Sequence, residues 1–195
     1  MTPANLLIIM AAEHARGVLG AAGHPMVRTP NLDRLALEGA RFTDAYCNCP
    51  ICVPSRASFA TGRYVHDIRR WDNATPYDGT IPSWGHRLRD AGHHAASIGK
   101  LHYRSGEDDN GFAEEMLPMY VPNGIGDPLS LIRDDPPARK ETLKLGLEAG
   151  RGTPPTRATT TASWTRLTTG CATARRAMPT NPGCCLSPWF ARIFL

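Results

Sequence analysis

The sequence predicts an α/β fold with a mostly parallel sheet flanked by helices. Two observations carry that expectation. Asn5-Leu-Leu-Ile-Ile-Met10 is an unbroken apolar stretch bounded by polar residues. That is the form of a strand covered on both faces in a parallel sheet, not of a strand with one solvated face. Strand-like and helix-like stretches then alternate as far as His102, the rhythm of βαβ units whose chemistry gathers at strand C-termini.

Taken in order, the first strand ends at Met10 and is expected at the centre of the sheet. Thr29-Pro30 offers an N-cap and a first-turn proline, Leu32, Leu35 and Ala36 recur on one helical face, and Gly39 supplies a stop, so a helix follows. Arg41 to Tyr46 alternates weakly and predicts a short strand that leads into a cysteine-bearing loop. Ser55 to Thr61 reads as a helix ended by Gly62. A further helix is predicted from about Ser83 to Ala91, stopped by Gly92. A short strand near Ala95 to Ile98 then runs into Gly99-Lys-Leu-His102.

Composition sets limits on function. A chain of 195 residues, 42% hydrophobic and 21% charged, is that of a folded globular protein, so a function can be sought in a built site. The formal charge of +4 suggests a polyanion partner until its location is considered. From Arg151 to Leu195 there are six arginines and no acidic residue, whereas the first 150 residues hold 16 basic against 18 acidic groups. The body is therefore not a nucleic-acid binder by charge. The run Leu6 to Met10 is too short to span a membrane, and no basic residue precedes it as in a secretory signal, so a cytoplasmic protein is expected. The six cysteines lack the density and spacing of a secreted disulfide scaffold, so reduced thiols are expected.

The strongest local signal is Cys52-Val-Pro-Ser-Arg56, followed closely by Thr61-Gly-Arg63. Thr29-Pro-Asn-Leu-Asp33 and Arg41-Phe-Thr43 lie upstream of it; Trp71-Asp-Asn73, Ile81-Pro-Ser-Trp84 and Gly99-Lys-Leu-His102 lie downstream. By itself a cysteine at a helix start is usually a small buried apolar residue, and a first-turn arginine is usually solvated. The combination is specific: in order and spacing these stretches resemble the sulfatase family of the alkaline-phosphatase superfamily, in its choline-sulfatase-like and arylsulfatase-like members. The resemblance covers roughly residues 4 to 150 and implies the alkaline-phosphatase-like fold, in a domain larger than this chain, so a truncated domain of impaired activity is expected.

The resemblance implies a hydrolase acting on small-molecule sulfuric esters, with Cys52 oxidised by a formylglycine-generating maturase. The hydrated aldehyde that results carries one hydroxyl to attack sulfur and a second to expel sulfate. Arg56, one helical turn beyond Cys52, could fix that group with the help of the helix N-terminus. Lys100 and His102 sit two apart near a strand end and so can share one face. By resemblance Lys100 neutralises the sulfuryl oxygens, and His102 handles the proton of the second hydroxyl. Cys47-x-Cys49-x-x-Cys52 also permits a thiolate zinc reading, which lacks a fourth ligand and a second pair at a familiar spacing. His24, His66, His93 and His94 read as surface or supporting groups, with His66 near enough to the motif helix to line a pocket.

The family's cation, calcium or another divalent metal, is held by acidic oxygens at the end of the first strand and by a pair far downstream. The resemblance assigns Glu13 and the converted Cys52 to it, yet the first strand-end position falls on Ala12, whose methyl cannot coordinate a hard cation. Beyond about Gly150 the character changes: the tail holds ten threonines and no sustained periodicity. Read one frame over with permitted codons, Gly152 to Leu195 can encode an amphipathic helix and an apolar strand. Residues 1–150 are thus expected to be sulfatase domain and 151–195 a frameshifted, poorly ordered tail that leaves a free sheet edge. The rival functions are hydrolysis of phosphonate monoesters or phosphodiesters, and a non-catalytic remnant or pseudoenzyme.

Overall fold

The computed structural model describes residues 6–12, 14–126, 134 and 190–194. The chain divides into two units, one made of Ala11–Cys47 and the other of Met1–Met10 with Asn48–Leu195.

The larger unit holds a four-stranded sheet. Its strands are β1 (Leu6–Met10), β2 (Ala95–Lys100), β3 (Glu114–Met119) and β4 (Phe190–Phe194), in the order β1-β4-β2-β3, and every pairing is parallel. This is the α/β class that the alternating pattern predicts. The position of β1 differs from expectation. Among the described residues its strand neighbour is β4, so it lies at an edge, and Leu6, Leu7 and Ile9 are each about half exposed. An unbroken apolar run shows that a strand suits two-sided cover, but which strand takes the centre depends on pairings that a local pattern does not contain.

Two further differences concern strands. Residues 41–46 form no strand, since a weak alternation without a paired neighbour does not hold an extended conformation. The strand β3 was not expected, because its Glu-Glu-Met-Leu-Pro-Met sequence carries charges and a proline; at a sheet edge both are tolerated. The tail enters the sheet at one point: Phe190–Phe194 runs between β1 and β2, pairing with both, where the sequence reading expects a free edge. Phenylalanine and isoleucine favour that conformation, and pairing on two sides satisfies the backbone. The other tail expectations fall outside the described residues.

Three α-helices belong to the described residues: α1 (Pro30–Glu38), α2 (Cys52–Thr61) and α3 (Trp84–Asp90). In the smaller unit α1 has the bounds its sequence signals, with Thr29 before Pro30 and Gly39 after the last turn. The Thr29 hydroxyl does not cap its own helix; it donates to Asp33 Oδ1 at 2.8 Å and accepts from Gly20 N at 2.8 Å, tying α1 to the short 3₁₀ turn Gly20–Ala22. Helix α3 starts at a capping box in which Ser83 accepts from His86 N, and His86 Nδ1 accepts from Ser83 N at 3.0 Å. His86 takes the place that glutamate or glutamine usually fills.

Helix α2 begins three residues before its sequence reading, at Cys52, because Pro54 falls in the first turn, where its missing N–H leaves no helical bond unmade. Gly62, in the left-handed region at φ 68°, ends it by donating to Ser58 O. Ala57 and Ala60 lie on one face and are fully buried against Ile68, Tyr77, Leu101 and Tyr103. Small residues on that face bring the α2 backbone close to the segment that follows β2, and this closeness builds the site.

Candidate active site

Cys52 is the first residue of α2 and is half-buried. Ile51, the preceding N-cap, is extended and offers no side-chain hydrogen bond, so the first amides of α2 need partners from elsewhere. Asn73 supplies one: its Oδ1 accepts from Val53 N at 3.2 Å and from Cys52 Sγ at 3.6 Å. Asn73 is held in a turn in which Asp72 Oδ1 accepts from Ala74 N at 2.7 Å. Sequence reasoning quoted Trp71-Asp-Asn73 but gave Asn73 no role; an asparagine beside an Asx turn carries no local sign of capping a helix 20 residues away. Asn73→Ala is expected to cost about 1 kcal/mol, the usual loss of an N-cap, readable as a lower urea midpoint.

Arg56, one turn on, is buried, with 4% of its surface exposed. Its Nη1 donates to the carbonyl oxygen of Lys100 at 2.6 Å, so α2 is pinned to the end of β2 by a charged hydrogen bond. Beyond that point burial alternates: Leu101 and Tyr103 are fully buried in the core against α2, while Lys100 and His102 are half-buried. The strand itself stops at Lys100, and His102 continues the pattern from a left-handed backbone (φ 54°), donating its N–H to Met119 O at 2.6 Å. His102 Nδ1 is buried and has no hydrogen-bond partner among the described residues.

The electrostatics follow from this packing. Burial, and then the charges of Lys100 and Arg56, pull the His102 imidazole down to about 4 from its ordinary 6.5. At neutral pH the ring is uncharged and can take up a proton. The two cations favour an anion near His102, as the N-terminus of α2 does near Cys52. The depressed ring has a thermodynamic sign. Between pH 6.5 and 4 the unfolded chain binds a proton at His102 that the native state does not, so stability rises with pH across that window and is lost as pH falls through it. Urea unfolding at a series of pH values should show that loss in the parent chain and a shallower one in His102→Gln.

Glu13 is outside the described residues, and Ala12 is exposed in the smaller unit. Among the described residues no three His, Cys, Asp or Glu side chains converge, and Cys47, Cys49 and Cys52 are free thiols, so neither the zinc reading nor a calcium cage finds its ligands there. His66 is exposed, stacked on Tyr64 at 5.4 Å and 3.5 Å from Asp67. His24 accepts from Val27 N, and His94 faces Glu114. No helix among the described residues is long and apolar enough to cross a membrane.

The family model named Sulfatase matches residues 4–122, more than half of the chain. The chain belongs to the sulfatase family. Among curated proteins, the chain is 35% identical over 122 residues to the choline-sulfatase of Rhizobium meliloti, covering 63% of this chain and 24% of that one. It is also 35% identical over 98 residues to the N-acetylglucosamine-6-O-sulfatase of Bacteroides thetaiotaomicron, covering 50% and 18%. Among solved structures, a protein bound to its substrate D-glucosamine-2-N,6-O-disulfate superposes with a TM-score of 0.54 at 33% identity, over 57% of this chain and 22% of the other. The phosphonate monoester hydrolase of Agrobacterium radiobacter superposes at 0.65 with 20% identity, over 99% and 40%, a likeness of fold. The chain spans about a quarter or less of the length of these curated relatives.

Proposed function

We propose that this chain carries the nucleophile-bearing part of a hydrolase for small-molecule sulfuric esters, with Cys52 converted to formylglycine by a maturase. The observation that supports the reading is that Arg56, one turn beyond Cys52 on α2, bonds the end of β2 at Lys100 O, and that its charge and that of Lys100 act on a neutral His102. A formylglycine there would supply a hydrated aldehyde as nucleophile. Asn73 and the first amides of α2 orient the side chain at position 52. Arg56 holds the end of β2 and, with Lys100, draws in the ester's anionic oxygens. His102, uncharged near pH 7, accepts a proton from the reacting hydroxyl. The free thiols suit a reducing compartment such as the cytoplasm.

A divalent cation, calcium or another, would draw on Glu13 and the side chain at position 52. Ala12, next to Glu13 in the sequence, offers only a methyl, and no three His, Cys, Asp or Glu side chains cluster among the described residues. A phosphonate or phosphodiester hydrolase would need the same nucleophile and cations. Turnover of an aryl sulfate and of an aryl phosphonate, measured on the protein co-expressed with a formylglycine-generating enzyme, separates the readings. Weak turnover is expected of this chain, faster on the sulfate than on the phosphonate. Faster phosphonate turnover would reverse the assignment, and no turnover of either by protein converted at Cys52 would make the chain a non-catalytic remnant. The tail reading is proposed with it: the gene sequence around codon 150 should continue as a sulfatase in the shifted frame, and stop codons in that frame would end the idea.

A further inference from the structure

The parallel ladder between β2 and β3 loses register beside the site. Ile98 faces Met116, but Lys100 faces Met119, so two steps on β2 are matched by three on β3. The extra residue is a β-bulge, and Leu117 within it has a left-handed backbone, φ 50°. That conformation is uncommon for a bulky side chain without a local hydrogen bond of its own, and a following proline already restricts the residue before it toward extended geometry. Leu117 precedes Pro118. The chain uses neither glycine nor asparagine here, and such a backbone persists only where its surroundings over-determine it.

What the bulge delivers is the position of Met119. Its backbone lies opposite Lys100, and its carbonyl accepts the N–H of His102 at 2.6 Å, the bond that closes on the second left-handed residue, φ 54°. The next ladder bond, from Val121 N to Tyr103 O at 3.0 Å, restores the pairing with Tyr103 in the core. Between these two bonds the strained turn at His102 is clamped from the β3 side, while Arg56 clamps Lys100 from the α2 side.

We infer that the bulge at Leu117–Pro118 is a positioning element for His102, setting its ring beside Lys100 and Arg56. Leu117 acts through Met119 and touches no reacting group. The inference rests on the reading that these residues form the active site, but its test needs no sulfate ester. The His102 ring is followed by NMR through a pH titration of the full, unconverted chain and of two variants. Leu117→Asn tolerates the left-handed backbone and should leave the His102 midpoint where the parent chain has it. Leu117→Ile opposes that backbone through its β-branch. It should let the ring relax toward solvent and raise the midpoint by about one unit or more. An unchanged midpoint in folded Leu117→Ile, or an equal rise in Leu117→Asn, overturns the inference. Should Leu117→Ile fail to fold, Leu117→Val decides by the same criterion: its β-branch opposes the left-handed backbone in a smaller side chain and should also raise the midpoint, and no rise there overturns the inference. Failure of the hydrolase assay would leave all of these outcomes readable.

Discussion

Replacing Arg56 with alanine is expected to lower stability by about 3 kcal/mol, from the buried volume removed and the charged hydrogen bond lost. Two effects compete. Burial of a guanidinium carries a desolvation penalty that the mutation relieves, but removing one partner of a buried polar pair takes a donor from the other, and the second effect is expected to be the larger. The group that loses its charged donor is the Lys100 carbonyl, which accepts from Nη1 at 2.6 Å. Arg56→Met keeps most of the stem and should recover part of the packing, so the pair of variants separates volume from charge. Both should raise the His102 midpoint, because Arg56 is one of the charges that hold it down. Urea unfolding with an unchanged slope gives the first quantity and NMR titration the second. A stability loss in Arg56→Ala without a change at His102 would mean that the arginine serves the fold only.

Tyr103→Ala is expected to cost about 3 to 5 kcal/mol, the range for deleting a large buried aromatic side chain. Tyr103 is fully buried, and its ring meets that of Tyr77 edge-on at 4.8 Å. Both residues are also tied through the backbone, Tyr77 O accepting from Arg104 N at 2.8 Å and Tyr103 O from Val121 N. The loss would therefore loosen the segment that carries His102. Tyr46→Ala, at a residue 91% exposed, should stay within about 0.5 kcal/mol and serves as the control. Equal urea midpoints for the two variants would show that the core against α2 is not what stabilises this unit.

The helices were legible where their signals are local. Proline at the first position of α1 and glycine after its end act through the backbone of the residues themselves, and the bounds Pro30–Glu38 follow. Helix α2 starts three residues before Ser55, the start its sequence signals, because a first-turn proline forfeits no helical bond. That difference puts Cys52 on the helix, next to its free amides. Strands were less legible, since their identity depends on partners: β3 hides behind two glutamates and a proline, and β1 carries a central strand's composition at an edge.

The site divides in the same way. Cys52, Arg56, Lys100 and His102 could be named because they stand in short motifs in a fixed order, and the geometry brings Arg56 to Lys100 directly and both charges to His102. Neither Asn73 nor Leu117 could be named. Asn73 caps α2 across 20 residues of chain, and Leu117 matters through a register shift that exists only once β2 and β3 have paired. Glu13, the remaining expected ligand, lies outside the described residues.

The measurement closest to the central claim is peptide mass spectrometry of the full chain after co-expression with a formylglycine-generating enzyme. Six cysteines are available, and Cys52 stands apart from the other five in being followed by Pro54 and Arg56 at the motif spacing. The result predicted is an aldehyde at Cys52 with unmodified thiols at Cys47 and Cys49. A Cys52 recovered only as thiol, in cells where the same maturase converts a control substrate, would contradict the account.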